Sequence, residues 1–416
     1  MSAGVTGSYL GYLAQSAFLT KDKKASKLRS THASAARRVS DELSALRGPA
    51  MKLGQALSLQ TDVLPDEMLA ELSRLQMQAP PMHPSLVRAQ FKASMGRYPE
   101  DVYREFDPVP FAAASLGQVH RCVLTSGENA AVKIQYPGIR EAIENDFKWF
   151  RAVSKPAQLS AHMPESAIAE LQSQIALECD YVREAKNLAY YRKGVAPLGF
   201  VDLPRVHSKL STDKVLTMSM VSGQHLDEFL KTRPSQKQRD LIGERLFELF
   251  YFQFFEMHSL HADPHWGNYL FRTDGSIGLI DFGCVKYFPA EFIENMRKIF
   301  LYNGRRDTAQ FQRLLDERYA GRGARLNPAA RRALMFMSEN FYGRVYPPDP
   351  KLDARPFDFG SPAVVKHYMT QSSKVGTAKG TLPEYIFLAR AESGLYQTLH
   401  RLRARVHTSA IVRRFL

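Results

Sequence analysis

The sequence has few cysteines and no long apolar run. Its 416 residues include three cysteines, which lie far apart and lack the spacing of metal ligands. A low, odd count is typical of a reducing compartment and argues against a disulfide framework. No segment reaches the roughly 18 consecutive apolar residues that a membrane-spanning helix needs. Internal repeats and low-complexity tracts are also missing, so we expect an ordinary globular chain with a well-packed core.

Positive charge is in excess, with a formal net charge of +14. Such an excess favours an anionic partner, and much of it lies in two clusters, at 21–29 and 401–414. No basic stripe interleaved with aromatic residues is present, so we do not expect nucleic acid to be the partner. The alternative is that the charges form solvated faces.

Residues 5–19 are apolar and aromatic, but this stretch is short and interrupted by polar residues. Together with the basic clusters, it predicts reversible association with an anionic membrane surface through the two chain ends. We therefore expect a cytoplasmic protein, peripheral at the inner membrane. Asp22 is the only acid before Asp41, which leaves a mitochondrial leader open as an alternative.

One short stretch carries most of the functional information. Asp263 is followed five residues later by Asn268, and Asp281 opens an Asp-Phe-Gly triplet 18 residues after Asp263. The first aspartate can accept a proton from, or orient, an attacking hydroxyl or water. Asn268 and Asp281 can hold Mg²⁺ on a nucleotide triphosphate. This order and spacing are typical of a kinase-type site.

Lys133 is the candidate for the cation that such a site needs. It lies in a predicted strand, 131–135, which follows a hairpin turn at 126–129. A lysine among apolar neighbours on a strand is usually a solvent-facing residue. With Asp263 and Asp281 downstream, we instead predict that Lys133 binds the α- and β-phosphates.

A helix predicted over about 164–192 offers carboxylates that can hold this lysine. At about 100° per residue, Glu184 and Asp180 lie within about 40° of each other, and Glu178 lies about 120° from Glu184. One straight helix can therefore aim Glu184 at one lysine and Glu178 at a different one. The alternative is an exposed acidic face.

The segment that should cover the nucleotide phosphates is rich in alanine. Protein kinases use a glycine-rich loop here, so that backbone N–H groups approach the phosphates closely. This chain instead has Ala112, Ala113, Ala114 and Ser115. Because alanine restricts φ and ψ, we expect a different phosphate geometry and an altered nucleotide preference. The strand that follows, 116–124, is predicted to turn Val119 and Val123 inward.

A Lys-x-Gly-Gln segment lies far upstream, on a helix predicted over 41–60. Lys52 and Gln55 are three residues apart and share a helix face. Gly54 costs about 1 kcal/mol in a helix interior, which favours close packing against another element. The alternative is an ordinary amphipathic helix.

The hydrophobic pattern divides the chain into four predicted parts. A basic, weakly structured arm spans 1–40, and a helical extension carrying Lys-x-Gly-Gln spans 41–105. Strand patterns dominate 106–222, and helical patterns dominate 223–416. With the chemical motifs at the junction, this order predicts an α+β fold with two lobes like those of protein kinases.

Together these motifs resemble the atypical kinase-like family called ABC1, AarF or UbiB, and most closely its coenzyme-Q-linked branch. The resemblance runs from about residue 40 to about residue 290, with every motif in order. The matched positions are Lys52, Gly54, Gln55, Ala112, Ala113, Ala114, Ser115, Lys133, Glu178, Asp180, Glu184, His261, Asp263, Pro264, His265, Gly267, Asn268 and Asp281.

The resemblance implies an N-terminal helical extension packed over the active site, with Lys52 meeting Glu178 of the Glu-x-Asp motif. Such an extension would exclude protein substrates. The resemblance also implies ATP or ADP with Mg²⁺, a pair between Lys133 and Glu184, and a role at membranes in ubiquinone or other isoprenoid-lipid metabolism. The basic segment 400–416 differs from the spanning helices of the bacterial ubiquinone enzyme, so we do not expect firm anchoring.

Three functions remain open from the sequence. The first is an ATP-dependent atypical kinase or ATPase that serves isoprenoid-quinone or lipid metabolism and does not phosphorylate generic proteins. The second is a nucleotide-switched scaffold with negligible catalysis, which the complete set of catalytic positions disfavours. The third is a small-molecule kinase, against which Lys52 and Glu178 argue.

Overall fold

The computed structural model describes the chain from residue 81 onward, with gaps. The described residues are 81–114, 116–154, 172, 175–261, 266–304, 309–313, 328–346, 349, 351, 353–361, 368 and 383–416. The predicted arm and the Lys52, Gly54 and Gln55 segment lie outside them. The chain forms two compact units, one ending at Ala185 but including Val206–Met220, and the other comprising Lys186–Arg205 and Val221–Leu416.

The first unit is built on a five-stranded antiparallel sheet. Its elements are α1 (Pro84–Met95), α2 (Pro99–Val102), β1 (Glu105–Phe106), β2 (Ala112–Ala114), β3 (Gly117–Val123), β4 (Asn129–Gln135), α3 (Ile139–Ser154) and β6 (Val215–Ser219). The strand order is β1-β3-β4-β6, and β2 pairs with the other end of β3. Gly127, at φ +88°, closes the predicted turn between β3 and β4.

Helix α1 begins and ends where its sequence dictates. Pro84 occupies the first helical position, where its missing N–H costs nothing, and Gly96 ends the helix at φ 75°. Val87 and Phe91 are fully buried against the sheet, in one cluster with Val132.

Strand β3 corrects one prediction. Val119 and Val123 are only half-buried, while Gln118, His120 and Cys122 on the opposite face are buried. The alternation is misleading because the buried face of β3 carries polar side chains, whereas Arg121, on the face of the two valines, is exposed. Cys122 joins the cluster under α1, and Val119 packs only partly on a second cluster. The buried polar groups satisfy each other, with Gln118 Nε2 2.9 Å from His120 Nε2.

The helix predicted as one straight rod over about 164–192 is interrupted. A turn occupies Glu178 and Cys179, and helix α4 spans Tyr181–Gly194. Asp180 stands before α4, and its Oδ1 accepts a hydrogen bond of 3.0 Å from Arg183 N, as an N-cap does. The argument that placed Glu178 and Glu184 on one regular helix is therefore wrong. The division between the two units falls within α4.

The second unit is mainly helical. Besides the rest of α4, its helices are α5 (Leu226–Lys231), α6 (Gln236–Phe255), α7 (Ala290–Gly304), α8 (Pro328–Met337), α9 (Pro383–Leu402) and α10 (Thr408–Arg413). Its strands are β5 (Val201–Asp202), β7 (Ser259–His261), β8 (Tyr269–Phe271), β9 (Ile277–Leu279), β10 (Val285–Tyr287), β11 (Phe357–Asp358) and β12 (Arg405–Val406). They form small sheets β5-β9-β8, β7-β10 and β11-β12. The mixed architecture confirms the α+β prediction.

Helix α6 is the centre of this unit. Ser235 caps it and forms a capping box with Gln238. Phe247 and Phe254 are fully buried. Among the described residues, no helix has the length and apolar character needed to cross a membrane.

A carboxylate lies in the middle of the helical core. Glu392, on α9, is 2% exposed and receives hydrogen bonds from four tyrosine hydroxyls. The donors are Tyr251, Tyr342, Tyr368 and Tyr396, at 3.2, 2.7, 2.7 and 3.5 Å. Burial raises the pKa of Glu392, and these hydrogen bonds oppose that rise. We call this group the tyrosine cage.

Candidate active site

The predicted pairing of Lys133 with Glu184 is confirmed. Lys133 Nζ, in the middle of β4, lies 2.9 Å from both carboxylate oxygens of Glu184, in the first turn of α4. The two side chains are 7% and 3% exposed. Lys133 Nζ also lies 5.0 Å from the centre of the Tyr181 ring. Two hydrogen bonds to one buried carboxylate fix the Lys133 ammonium in one position. An unpaired lysine on a sheet surface would be free to move.

The same strand explains the interruption before α4. Gln135 lies two residues after Lys133, so its side chain projects from the same face of β4. Its Nε2 donates a hydrogen bond of 2.8 Å to the Cys179 carbonyl, in the turn. Glu178 is half-buried in that turn. Its proposed partner, Lys52, lies outside the described residues, so the Glu-x-Asp contact stays a prediction.

The alanine-rich segment forms a strand. Ala112 and Ala114 of β2 pair with Val119 and Gly117 of β3, and Ser115 lies outside the described residues. A Cβ atom at Gly117 would lie 2.3 Å from the Ile134 carbonyl oxygen, so only glycine fits at this position. The phosphate-binding role of residues 112–115 stays a prediction.

The two predicted metal ligands lie at neighbouring strand ends in the second unit. Asn268 ends a 3₁₀ turn that leads into β8, and Asp281 follows β9 by two residues. Tyr269 pairs with Leu279, and Ile280 N donates a hydrogen bond of 3.1 Å to the Asn268 carbonyl. The pairing of β8 with β9 therefore brings residues 268 and 281 close together, although they are 13 positions apart in the sequence.

Side chains hold the backbone of the Asp-Phe-Gly triplet in a defined form. The His261 ring nitrogen Nε2 is hydrogen-bonded to the Asp281 carbonyl, and Asn187 Nδ2 donates 3.0 Å to the Phe282 carbonyl. Asn187 is 4% exposed, and its Oδ1 accepts 3.0 Å from the Tyr287 hydroxyl. Gly283 N donates 2.9 Å to Asp281 Oδ1. Two successive carbonyls are thus fixed by side chains.

Asn187 is a residue that sequence reasoning missed. The signal was present, because Asn187 follows Glu184 by three positions and so shares its side of α4. His261 was recognised only as part of a motif, with no role assigned. Its hydrogen bond to the Asp281 carbonyl makes it a support of the Asp-Phe-Gly backbone.

The donor set fits a nucleotide-bound magnesium ion. Mg²⁺ prefers oxygen ligands and is usually held by one or two carboxylates together with substrate phosphates. Asp281 offers a carboxylate and Asn268 an amide oxygen. Within the described part of the chain, no group of three or more His, Cys, Asp or Glu side chains is placed to hold a metal by itself. Asp263, the predicted base, lies outside the described residues.

Two of the three cysteines are unsuited to nucleophilic chemistry. Cys122 and Cys179 are buried and free, and Cys284 is half-buried. Burial raises the pKa of Cys122 to about 12 and that of Cys179 to about 11. Both thiols therefore stay protonated at neutral pH, and a thiol is a weak nucleophile.

Comparison with known proteins places this arrangement in a family. Residues 74–315, more than half of the chain, match the ABC1 atypical kinase-like domain. The mitochondrial atypical kinase COQ8 of Saccharomyces cerevisiae is 33% identical over 275 residues, which is 65% of this chain and 54% of the yeast protein. Mitochondrial atypical kinase COQ8B of Rattus norvegicus is 35% identical, over 62% of this chain and 50% of the rat protein.

A solved structure extends the likeness beyond the matched domain. The Mycobacterium tuberculosis protein Rv3197, determined with erythromycin, has a TM-score of 0.63 and 26% identity, and the alignment covers 95% of this chain and 98% of that one. The chain spans about half the length of the yeast and rat relatives. The fold is thus the kinase-like one predicted, and the chain belongs to the ABC1 family of atypical kinase-like proteins, in the branch of the COQ8 atypical kinases.

Proposed function

We propose that this protein binds MgATP and catalyses ATP hydrolysis or phosphoryl transfer in isoprenoid-quinone or lipid metabolism. The observation that carries the proposal is the buried, bidentate pair of Lys133 and Glu184. Burying two charges is costly, and replacing such a pair with apolar residues is often neutral or stabilising. A pair kept in this position is therefore better explained by a functional need for the lysine than by stability.

Each residue has a defined task in this proposal. Lys133, oriented by Glu184, neutralises charge on the α- and β-phosphates. Asn268 and Asp281 hold Mg²⁺, which when bound offsets the charge that develops on the phosphoryl oxygens. Asp263 accepts a proton from the acceptor hydroxyl or orients a water molecule. His261 and Asn187 keep Asp281 in its place by holding the two carbonyls of the triplet.

Exchange of Asp281 for asparagine tests the metal site. An amide lacks the negative charge of a carboxylate, so Asp281→Asn should lose most of the thermal stabilisation that MgATP gives the wild-type protein. A ligand present at 100 times its Kd stabilises a fold by about 2.7 kcal/mol, so the wild-type shift should be readily measured. Melting curves with ATP and Mg²⁺, and with ATP and EDTA, make the comparison.

The matched control for this exchange is Asp213→Asn, in an exposed turn before β6. It makes the same chemical change away from the proposed ligands and should keep the wild-type shift. A normal MgATP shift in Asp281→Asn would show that the metal assignment is wrong. A wild-type protein that MgATP fails to stabilise would count against the proposed function itself.

We also propose peripheral association with anionic membranes, where quinone-pathway components are found. Three of the C-terminal arginines are engaged within the protein: Arg401 pairs with Asp227, Arg413 with Asp353 and Arg414 with Glu248. Arg403 and Arg405 are exposed. The N-terminal basic cluster at 21–29 is therefore expected to supply most of the attraction.

Liposome co-sedimentation measures this attraction. Each basic residue near an anionic surface contributes about 1 kcal/mol, an effect that is screened beyond the Debye length. Binding should rise with the anionic lipid fraction, fall with salt, and drop strongly when residues 1–30 are deleted. Exchange of Arg403 and Arg405 for glutamine should reduce binding less. Equal sedimentation with neutral and anionic vesicles would contradict the proposal.

A further inference from the structure

A stacked arginine supports the turn that carries the proposed metal ligand Asn268. Trp266, Gly267 and Asn268 form the 3₁₀ turn before β8. The guanidinium carbon of Arg401 lies 4.5 Å from the centre of the Trp266 ring. Tryptophan is the aromatic side chain that attracts a cation most strongly through its ring face.

Arg401 stands on a rigid platform. It lies in the last turn of α9, and the segment after this helix is fixed by several hydrogen bonds. Arg405 N donates 2.7 Å to Asp240 Oδ1, and Gln236 Nε2 donates 2.9 Å to the Arg403 carbonyl. His400 Nδ1 lies 2.7 Å from the Phe359 carbonyl oxygen. These bonds fix the backbone near Arg401, and its guanidinium contacts the Trp266 indole from this fixed position.

A second contact orients the guanidinium. Arg401 is hydrogen-bonded and ion-paired with Asp227, in the first turn of α5. The two side chains are 32% and 62% exposed, and an ion pair with this exposure contributes little to global stability. Its effect is local, because it restricts the arginine to positions from which it covers the indole.

Asn268 is thereby held on both sides. After it, strand pairing and the Ile280 N–H fix its carbonyl. Before it, Trp266 is half-buried against the core of the helical unit and is covered by Arg401. The position of an amide oxygen that binds a metal depends on both constraints, because Mg²⁺ demands nearly ideal ligand geometry.

We propose that Arg401 is a positioning residue for Asn268, and that it thereby sets the affinity of the nucleotide site for Mg²⁺. This inference rests on the proposed function. It goes beyond the family motif, in which position 266 is not a matched residue, and Arg401 lies outside the matched domain at 74–315. The C-terminal helix thus contributes to metal binding without touching the metal.

The chain's two tryptophans allow a direct test. With Trp149→Phe as the background, emission comes from Trp266 alone. In this background, Arg401→Gln should shift the emission to longer wavelength and raise quenching by acrylamide, because the indole loses its cover. Calorimetric titration of Mg²⁺ at fixed ADP should show affinity about three- to tenfold weaker, the size expected for one lost cation–π contact. ADP binding in EDTA should not change.

Two further variants separate positioning from general damage. Arg401→Lys keeps a cation over the ring and should restore most of the Mg²⁺ affinity. Arg405→Gln removes the same charge from a nearby exposed position and should behave as wild type. Melting temperatures of all variants, without ligand, should lie close to that of the background protein.

The outcomes distinguish this inference from the proposed function. A normal Mg²⁺ affinity and an unchanged Trp266 spectrum in Arg401→Gln, beside a normal response of the background protein, would overturn the role of Arg401 alone. Equal weakening in Arg405→Gln would overturn it too, because a general charge effect would then explain the result. If the background protein shows no Mg²⁺-dependent ADP binding, the proposed function fails and the inference fails with it.

Discussion

Replacing Asp263 with asparagine is expected to lower kcat for ATP by about 10²–10⁴-fold, the usual contribution of a positioned base or acid. The Kd for the nucleotide should change little, because a positioned base, the role proposed for Asp263, acts mainly in the transition state. Phosphate release and nucleotide binding should be measured on the same preparation, since the ratio of the two losses is the informative quantity.

The control for this exchange is again Asp213→Asn, which should retain wild-type turnover. Equal losses of kcat and affinity in Asp263→Asn would point to a structural role for the aspartate. Unchanged turnover in Asp263→Asn would favour the nucleotide-switched scaffold, in which hydrolysis is incidental. The same experiment therefore decides between the first and the second function that the sequence left open.

Replacing Glu184 with alanine is expected to destabilise the first unit by about 3–5 kcal/mol, because it leaves the Lys133 ammonium buried without a counter-ion. For a unit of this size, such a loss lowers the melting temperature by roughly 10 °C. The pair is nearly inaccessible to water, with the two side chains 7% and 3% exposed, so solvent cannot compensate. Thermal unfolding without nucleotide measures the effect.

A double variant separates stability from function. Lys133→Met combined with Glu184→Leu removes both charges and keeps similar volume, so most of the lost stability should return. MgATP binding should not return, because the phosphate-binding cation is gone. If Glu184→Ala melts like the wild type, the buried pair does not exist in solution. If the double variant binds MgATP normally, Lys133 has no role in nucleotide binding.

The short-range motifs of this chain could be predicted because each is a local chemical pattern. Lys133 lies on the strand predicted for it, and Asn268 and Asp281 flank the paired strands β8 and β9. The partner of Lys133 was also predicted correctly, since the family resemblance marked Glu184. Residues whose position depends only on a local motif and an adjacent strand or helix could therefore be predicted from the sequence.

The interruption before α4 was not predictable from periodicity. It depends on a contact between Gln135 and the Cys179 carbonyl, residues that are 44 positions apart. Asp180 then caps the new helix, although nothing in the local pattern distinguishes it from a mid-helix acid. The buried face of β3 could not be identified from polarity, because it carries Gln118 and His120, which become buried by hydrogen-bonding each other.

Side chains that hold backbone carbonyls form another class that sequence reasoning misses. Asn187 and His261 act on the Asp-Phe-Gly segment through main-chain atoms. Every residue has a backbone carbonyl, so such a contact needs no particular side chain at positions 281 and 282. A search of the sequence for complementary side chains therefore does not find it. The contact of Arg401 with the Trp266 ring is missed for a different reason, because the two side chains are 135 positions apart and no local pattern joins them.

The tyrosine cage has a consequence for the evolution of the helical unit. Tyr251 lies inside the matched domain at 74–315, whereas its acceptor, Glu392, lies outside. Loss of Glu392 removes the common acceptor of four buried hydroxyls, and loss of Tyr251 removes one of its four donors, so either change alone should be destabilising. The two positions should therefore covary among relatives. The end of the matched domain at residue 315 is thus a limit of the matched sequence and not of the folded unit, because Tyr251 of α6 donates to a carboxylate that the following segment supplies.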